Sequence, residues 1–220
     1  MSYSTTGTID EVLIGTGVLY IKDNTTSNLA FPGDDGSDGW VDPTGMTVSW
    51  DEVGYSEDGW TLEVDKTFED VMVAEELDPI KTLKSAQEVR LTGELAQASL
   101  DNLAVAMGGG TVAEDTVNYA AGGGYFKYTP PATDGFTEYA LVLHADGKAG
   151  ADRQFHIPRA VNTGSFAMAH QKAPQKVTLA TEFKLLVPES SGLNVGAVNG
   201  AYSLFIVVEN RNDSETLDIN

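Results

Sequence analysis

The sequence predicts a mainly β protein: a sandwich or barrel-like sheet with one flanking α-helix and long loops. Three observations carry this. Apolar residues recur with period two in most ordered-looking segments, the spacing of strands with one buried face. Only Ser99–Met107 shows helical spacing. The segments between are rich in Gly, Asn, Asp, Ser and Pro, which mark turns and loops. The 220 residues suit one large β domain, or at most two small ones. The 41% hydrophobic fraction, with three Trp, eight Tyr and eight Phe, supplies a core.

Gly17–Lys22 reads as the first strand, and residues 23–45 as a long polar loop. Met46–Val53 alternates, with Met46, Val48 and Trp50 on one face and Thr47, Ser49 and Asp51 on the other. Gly54–Gly59 follows as a turn containing Asp58-Gly59. In Gly59–Met72, Trp60, Leu62, Val64, Phe68 and Met72 share one face, and Thr61, Glu63, Asp65, Thr67 and Glu69 share the other. Carboxylates repeated along one face repel one another, so that face is expected to meet water. Asp78-Pro79 interrupts the sheet pattern within Leu77–Leu83.

Glu88–Leu95 resumes the alternation, with Val89, Leu91 and Leu95 inward. In the predicted helix, Leu100, Leu103, Ala104 and Met107 fall at i, i+3, i+4 and i+7, a stripe expected to face a core. Ser99 is the expected N-cap and Gly108 the stop. Gly108–Gly124, with two Gly triplets, reads as a flexible insertion. Tyr125–Tyr128, Thr137–Ala145, Gln154–Ile157, Lys176–Val187 and Tyr202–Val208 read as strands. Tyr202–Val208 is apolar on both faces and is expected to be central or covered on both sides. Residues 189–200 form another loop, and 210–220 a polar tail.

No reaction has its parts in this sequence, so catalysis is not expected, and no cofactor or metal is implied. There is no cysteine. His144, His156 and His170 have no histidine partner at ligand spacing. Both Gly triplets lack a following Lys-Ser/Thr, and no Gly-x-Ser-x-Gly occurs. Asp34-x-Gly36-x-Asp38-Gly39 departs from a calcium loop at its third position and at its twelfth, Gly45. Adjacent acids such as Glu57/Asp58, Glu69/Asp70 and Glu75/Glu76 point to opposite faces of a strand, which disfavours a catalytic dyad. The N-terminus lacks a basic, apolar leader pattern, and no apolar run approaches the ~20 residues of a membrane span. A cytoplasmic product is expected.

The formal charge is −20. Residues 1–110 carry 21 acids against five bases, and residues 111–220 carry 12 against eight. Asp51–Asp78 alone holds 11 acids and one Lys, half of the net charge. A solvated face is one reading; a surface whose negative sign has a purpose is the other. Tight nucleic-acid binding is disfavoured either way, because it requires bases to neutralise phosphates.

The order from Val48 to Met107 is recognisable. A strand leads to V-G-Y-S-E-D-G at 53–59, and an amphipathic strand ends in F-E-D-V at 68–71. L-D-P-I-K-T at 77–82 follows, then the strand E-V-R-L-T-G-E-L at 88–95, whose Glu94 leads into the helix S-L-D-N-L-A-V-A-M. This stretch of about 60 residues resembles a siphophage tail tube protein, or major tail protein.

The resemblance implies that residues 1–220 form one tail-tube domain, with an extended N-terminal arm, insertion loops at 23–45, 108–124 and 189–200, and a polar C-terminal tail. It implies hexameric rings stacked into a hollow virion tail tube, assembled in the host cytoplasm, and a fold shared with contractile-tail and type VI secretion tubes. The implied partners are the chain itself, in ring and ring-to-ring contacts, and tail proteins such as the tape measure and tail terminator. DNA would cross the lumen without tight binding, and no membrane span is implied. DNA carries one charge per roughly 1.7 Å of axis. An acidic wall would keep it off over a Debye length of roughly 8–10 Å. The face of Thr61, Glu63, Asp65, Thr67 and Glu69 is the expected lumen wall. Three other readings stay open: a terminator or capsid decoration protein, a β-sandwich module binding carbohydrate, and an enzyme.

Overall fold

A computed structural model of the chain describes residues 17–24, 31, 50–72, 78–119, 122–132, 135–145, 153–165, 167, 177–188 and 204–209. Among these residues, ten strands and one helix run in the order β1 (Val18–Asp23), β2 (Asp51–Glu52), β3 (Ser56–Val71), β4 (Lys81–Leu95), α1 (Leu100–Ala106), β5 (Thr111–Glu114), β6 (Phe126–Thr129), β7 (Glu138–Ala145), β8 (Arg153–Asn162), β9 (Leu179–Leu185) and β10 (Ile206–Glu209). The protein is mainly β with one short helix. An antiparallel sheet has the order β2-β1-β7-β8-β9-β4-β3, with β10 added on β8. A separate ribbon pairs β5 with β6.

The period-two pattern builds the core. Leu19 and Ile21 of β1, Leu141 and Leu143 of β7, Val89, Leu91 and Leu95 of β4, and Leu179, Phe183 and Leu185 of β9 pack into one cluster. Burying each such side chain is worth about 1.5–3 kcal/mol. The opposite face of β7 is covered too: Ala140 and Val142 pack with Trp50, Tyr20 and Phe31. Pro158 sits in β8 where the β7–β8 register shifts, between the pairs Tyr139–Ala160 and Leu141–Ile157. Such irregularities tolerate a residue with no N–H to donate.

Several expectations need correction. The strand buried on both faces is β7. Residues 202–208 were expected in that role, but β10 is an edge strand that pairs with β8 alone among the described strands, and Val207 is 45% exposed. Gly108–Gly124, read as a flexible insertion, contains the strand β5. Gly108, at φ 75°, turns the chain out of the helix, and Tyr128 donates to the Gly109 carbonyl. Asp115 then accepts hydrogen bonds from the amides of Val117 and Asn118 to shape the β5–β6 turn. Asp78-Pro79 lies outside both strands, as its break in the pattern predicts. It lies in the connection of one hairpin, and β4 starts at Lys81, seven residues earlier than the expected strand at Glu88. Residues 46–49, His170, most of loop 23–45 and all of 189–200 lie outside the described residues.

The helix is where predicted but rolled differently. The Ser99 hydroxyl accepts from the Asn102 amide at 3.1 Å, as an N-cap should. The expected inward stripe was Leu100, Leu103, Ala104 and Met107. Instead Asn102 and Ala106 are buried and Val105 packs on the core. Leu100, Leu103 and Ala104 are half-buried, and Met107 is 37% exposed. Polar anchoring is the cause. Asn102 Nδ2 donates to the carbonyls of Val53 and Gln97, both at 2.9 Å. Asn162 Nδ2 donates to those of Val105 and Ala106. An asparagine on the inward face is invisible to a count of apolar residues.

Candidate assembly surfaces

The β3–β4 hairpin is longer than the sheet that holds it. Strand β9 pairs with β4 from Arg90 to Leu95 only. Among the described strands, β4 pairs from Lys81 to Val89 with β3 alone, and none covers the outer edge of β3. The hairpin therefore extends as a two-stranded arm of about 25–30 Å, at ~3.3 Å per residue. Its root is anchored: Trp60 and Leu62 pack against the core. Beyond them the same face continues outward. Val64 and Met72 are exposed, and Phe68 is 58% exposed. Alternation places these three on one face with Trp60 and Leu62. Val64 lies opposite the buried Val89 at the margin of the core; beyond it the arm carries this face outward, so no interior receives Phe68 and Met72. Val71, Ile80 and Leu83 add further exposed apolar surface near the tip.

A register shift between Thr67 and Phe68 shapes the arm. Thr67 pairs with Ala86 and Phe68 with Lys84, leaving Ser85 as an extra residue on β4. Lys84 thus lies directly across from Phe68. Lys66, two residues before Phe68 on β3, shares the face, as do Asp70 and Thr82, where the Thr82 hydroxyl donates to Asp70 at 2.7 Å. Lys84 Nζ donates to Gln87 at 2.8 Å, and neither Lys66 nor Lys84 makes an ion pair among the described residues.

The other face of the hairpin carries Thr61, Glu63, Asp65, Thr67 and Glu69, all exposed. They do share one face, but that face is not purely acidic. Glu63 pairs across to Arg90, and Asp65 to Glu88. Arg90 bridges Glu88 and Glu182, each at 3.0 Å, and Lys184 reaches Glu88 at 2.8 Å. Hydrogen bonds from Lys184 and then Arg90 hold the Glu88 carboxyl below its ordinary range. The bond to Glu88 raises the Arg90 guanidinium, and the charges of Glu182 and Asp65 add to the effect. Spacing along β3 marks the acidic column; Arg90 of β4 and Lys184 of β9 join it only through strand pairing.

A third surface is the tip of the β5–β6 ribbon. Tyr119 and Tyr125 stack at 4.0 Å there, and Val117 and Phe126 are exposed beside them. Lys127 pairs with Asp115 at 3.4 Å. Hydrogen bonds from Asn118 lead in holding the Asp115 carboxyl below its ordinary range.

An open cavity of about 820 Å³ lies among β1, β2, α1 and β5. Asp23, Asp51, Glu52 and Asp101 are exposed on its lining, and Val53 and Tyr139 are buried there. Burial pushes the Tyr139 hydroxyl up to about 12. The cleft falls in the ~300–1,000 Å³ range of ligand-seating pockets. Its lining carries no histidine. Among the described residues, no group of three or more His, Asp or Glu could hold a metal ion.

The two described histidines belong to a buried polar chain. Gln154 Nε2 lies 2.9 Å from His144 Nδ1, and Gln154 Oε1 lies 2.9 Å from His156 Nε2. Phe31 stacks on the His156 ring at 4.9 Å. Burial lowers the His156 imidazole to about 4, so it is neutral at physiological pH. Among the described residues, no helix is long and apolar enough to cross a membrane. Comparison with protein-family models finds no match for this chain, and comparison with curated proteins finds none either.

Proposed function

We propose that the chain is the structural subunit of a phage tail tube, forming stacked, hexameric rings whose hollow core passes DNA during ejection. The supporting observation is the β3–β4 arm. A two-stranded ribbon with open edges and outward Phe68, Met72, Ile80 and Leu83 is marginally stable in water by itself. Open edges and apolar surface of this kind invite pairing with another chain, so a neighbouring copy that covers them accounts for the arm. The resemblance of the element order from Val48 to Met107 to tail tube proteins supports this kind of assembly. In this reading the protein works in the virion tail after assembly in the host cytoplasm, with the tape measure and tail terminator as further partners. The exposed row of Thr61, Glu63, Asp65, Thr67 and Glu69 lines the lumen.

The test is negative-stain electron microscopy and size-exclusion chromatography of the purified protein. Rings that stack into tubes are expected. A single ring that never stacks supports a terminator, and a stable monomer supports a decoration protein or a binding module; either overturns the reading.

A further inference from the structure

The free edge of β3 is complementary to a second copy of itself. The carbonyls of Thr67 and Val71 turn toward β4, where they accept from the Ser85 hydroxyl at 3.3 Å and the Ile80 amide at 3.0 Å. Peptide groups alternate sides along a strand, so those of Lys66, Phe68 and Asp70 turn to the outer edge, which no described strand covers. The side chains of these three also share one face, as a cation, an aromatic ring and an anion in even steps. Val64 and Met72 stand at the two ends of the row. Lys66 and Asp70 are about 13 Å apart along β3, too far to meet within one chain.

A second β3, laid antiparallel with Phe68 against Phe68, meets this edge in register. Lys66 then lies opposite the partner's Asp70, and Asp70 opposite the partner's Lys66. Val64 comes opposite the partner's Met72, Thr67 opposite its Glu69 and Asp65 opposite its Val71. Like charges directly opposed would destabilise the pair, and this register opposes none. Each stretch is still acidic, with Asp65, Glu69 and Asp70 against Lys66, and the two copies of Glu69 lie diagonally across the axis. Net charge therefore opposes approach, and the register decides the outcome. Sliding by two residues loses both ion pairs and sets Glu69 against the partner's Asp65 in one direction, or against the partner's Glu69 in the other. We propose that two copies pair along β3 about a two-fold axis at Phe68, and that this dimer is the form of the chain before assembly. About six backbone hydrogen bonds form, two for each opposed pair among Lys66, Phe68 and Asp70. Two marginal ribbons become one four-stranded sheet, past the three strands that independent stability requires. The two cores lie at opposite ends of the paired arms and do not collide. Such a contact closes on itself and does not propagate. It occupies the open edge, so it competes with ring contacts. The pairing stands on the register alone; its role as a store of covered arms rests on the tail-tube reading.

The experiment uses the full chain, which has no cysteine of its own. Phe68→Cys should cross-link to a second copy under mild oxidation, because directly opposed Cα atoms lie about 5.5 Å apart. Lys66→Cys alone and Asp70→Cys alone should not, since each is displaced by about 13 Å from its own copy across the axis. A mixture of those two should cross-link as a heterodimer. Charge reversal is the second arm, read by sedimentation velocity, with folding checked by circular dichroism. All three positions are exposed. Lys66→Asp alone, or Asp70→Lys alone, opposes like charges and should weaken dimerisation by on the order of tenfold. An equal mixture of the two restores it as a heterodimer, in which both pairs are again opposite in sign. A monomer at every concentration, cross-linking that is equal at 66, 68 and 70, or folded charge variants that dimerise unchanged each overturn the pairing. The dimer locked through Phe68→Cys should stay out of tubes until it is reduced; tubes that take up the locked form overturn its role as a store. A dimer centred on Phe68 in a protein that never forms hollow tubes supports the pairing and sinks the tail-tube reading.

Discussion

The ring of Trp60 lies across Gly93 on the neighbouring strand, so close that a Cβ on Gly93 would come within 2.5 Å of the indole Cε3. The contact fixes the root of the arm: Trp60 also meets Phe183 at 6.5 Å, tying β3 to β9 over the core. Gly93→Ala forces the indole or the backbone to shift. Overpacking of this kind costs about 1–3 kcal/mol. Urea unfolding followed by tryptophan fluorescence checks it; an unchanged midpoint would show that the indole has room to move.

Asn102 holds the helix to the sheet by two side-chain bonds to carbonyls from outside the helix. Asn102→Ala leaves the carbonyls of Val53 and Gln97 without that donor in a largely buried place and should destabilise by about 2 kcal/mol. Ser99→Ala removes only the N-cap and should cost about 1 kcal/mol. Measured by the same unfolding assay, the order of the two losses is the informative quantity. Equal losses would mean that Asn102 acts only as a helix residue.

His156 makes stability depend on pH. Its folded value of about 4 lies below its ordinary 6.5, because burial disfavours the imidazolium. The unfolded chain therefore binds the proton more readily, and unfolding is favoured as pH falls from 6.5 through 4. The full loss from this group is about 3 kcal/mol, at 1.36 kcal/mol per pKa unit. His156→Phe should flatten the melting temperature between pH 6.5 and pH 5, where carboxylates such as Glu88 contribute little. An equally steep variant would place the acid sensitivity elsewhere.

The lumen assignment has a salt-dependent signature. Converting Asp65 and Glu69 to Lys, opposite Glu88 and Leu83 on an exposed face, should leave folding intact and turn a repelling wall into a retaining one. Assembled tubes should then hold linear duplex DNA at low salt and release it as ionic strength rises. Binding along the outside of the tube in electron micrographs, or no gain in retention, removes these residues from the lumen.

Much of the sheet was legible because its signal is local. Alternation in 59–72 and 88–95 located β3 and the inner half of β4, and Ser99 marked the helix start. What escaped depends on distant partners. Nothing near Phe68 says that β9 stops at Arg90, so an apolar face continuing into solvent looked like more core. The apolar run at 202–208 read as a covered strand for a similar reason: side chains do not report which edges are paired. The glycines near 108–124 suggested slack, whereas Asp115 and the Tyr119–Tyr125 stack make an ordered ribbon. The acids of β3 were found by their spacing; Arg90 and Lys184 join them only through strand pairing.

Ser85 sets how the arm tolerates insertions and deletions. As the unpaired residue of the register shift, it can be deleted while Thr67 still meets Ala86 and Phe68 still meets Lys84. Such a deletion straightens the ribbon and lowers its local twist without changing which side chains share a face. Loss of Gln87 instead would move every later β4 side chain to the other face, unless the ladder took up the change by absorbing Ser85. The bulge is thus a one-residue reserve, and single-codon length changes in this arm should survive selection near Ser85 more readily than closer to the root at Gly93.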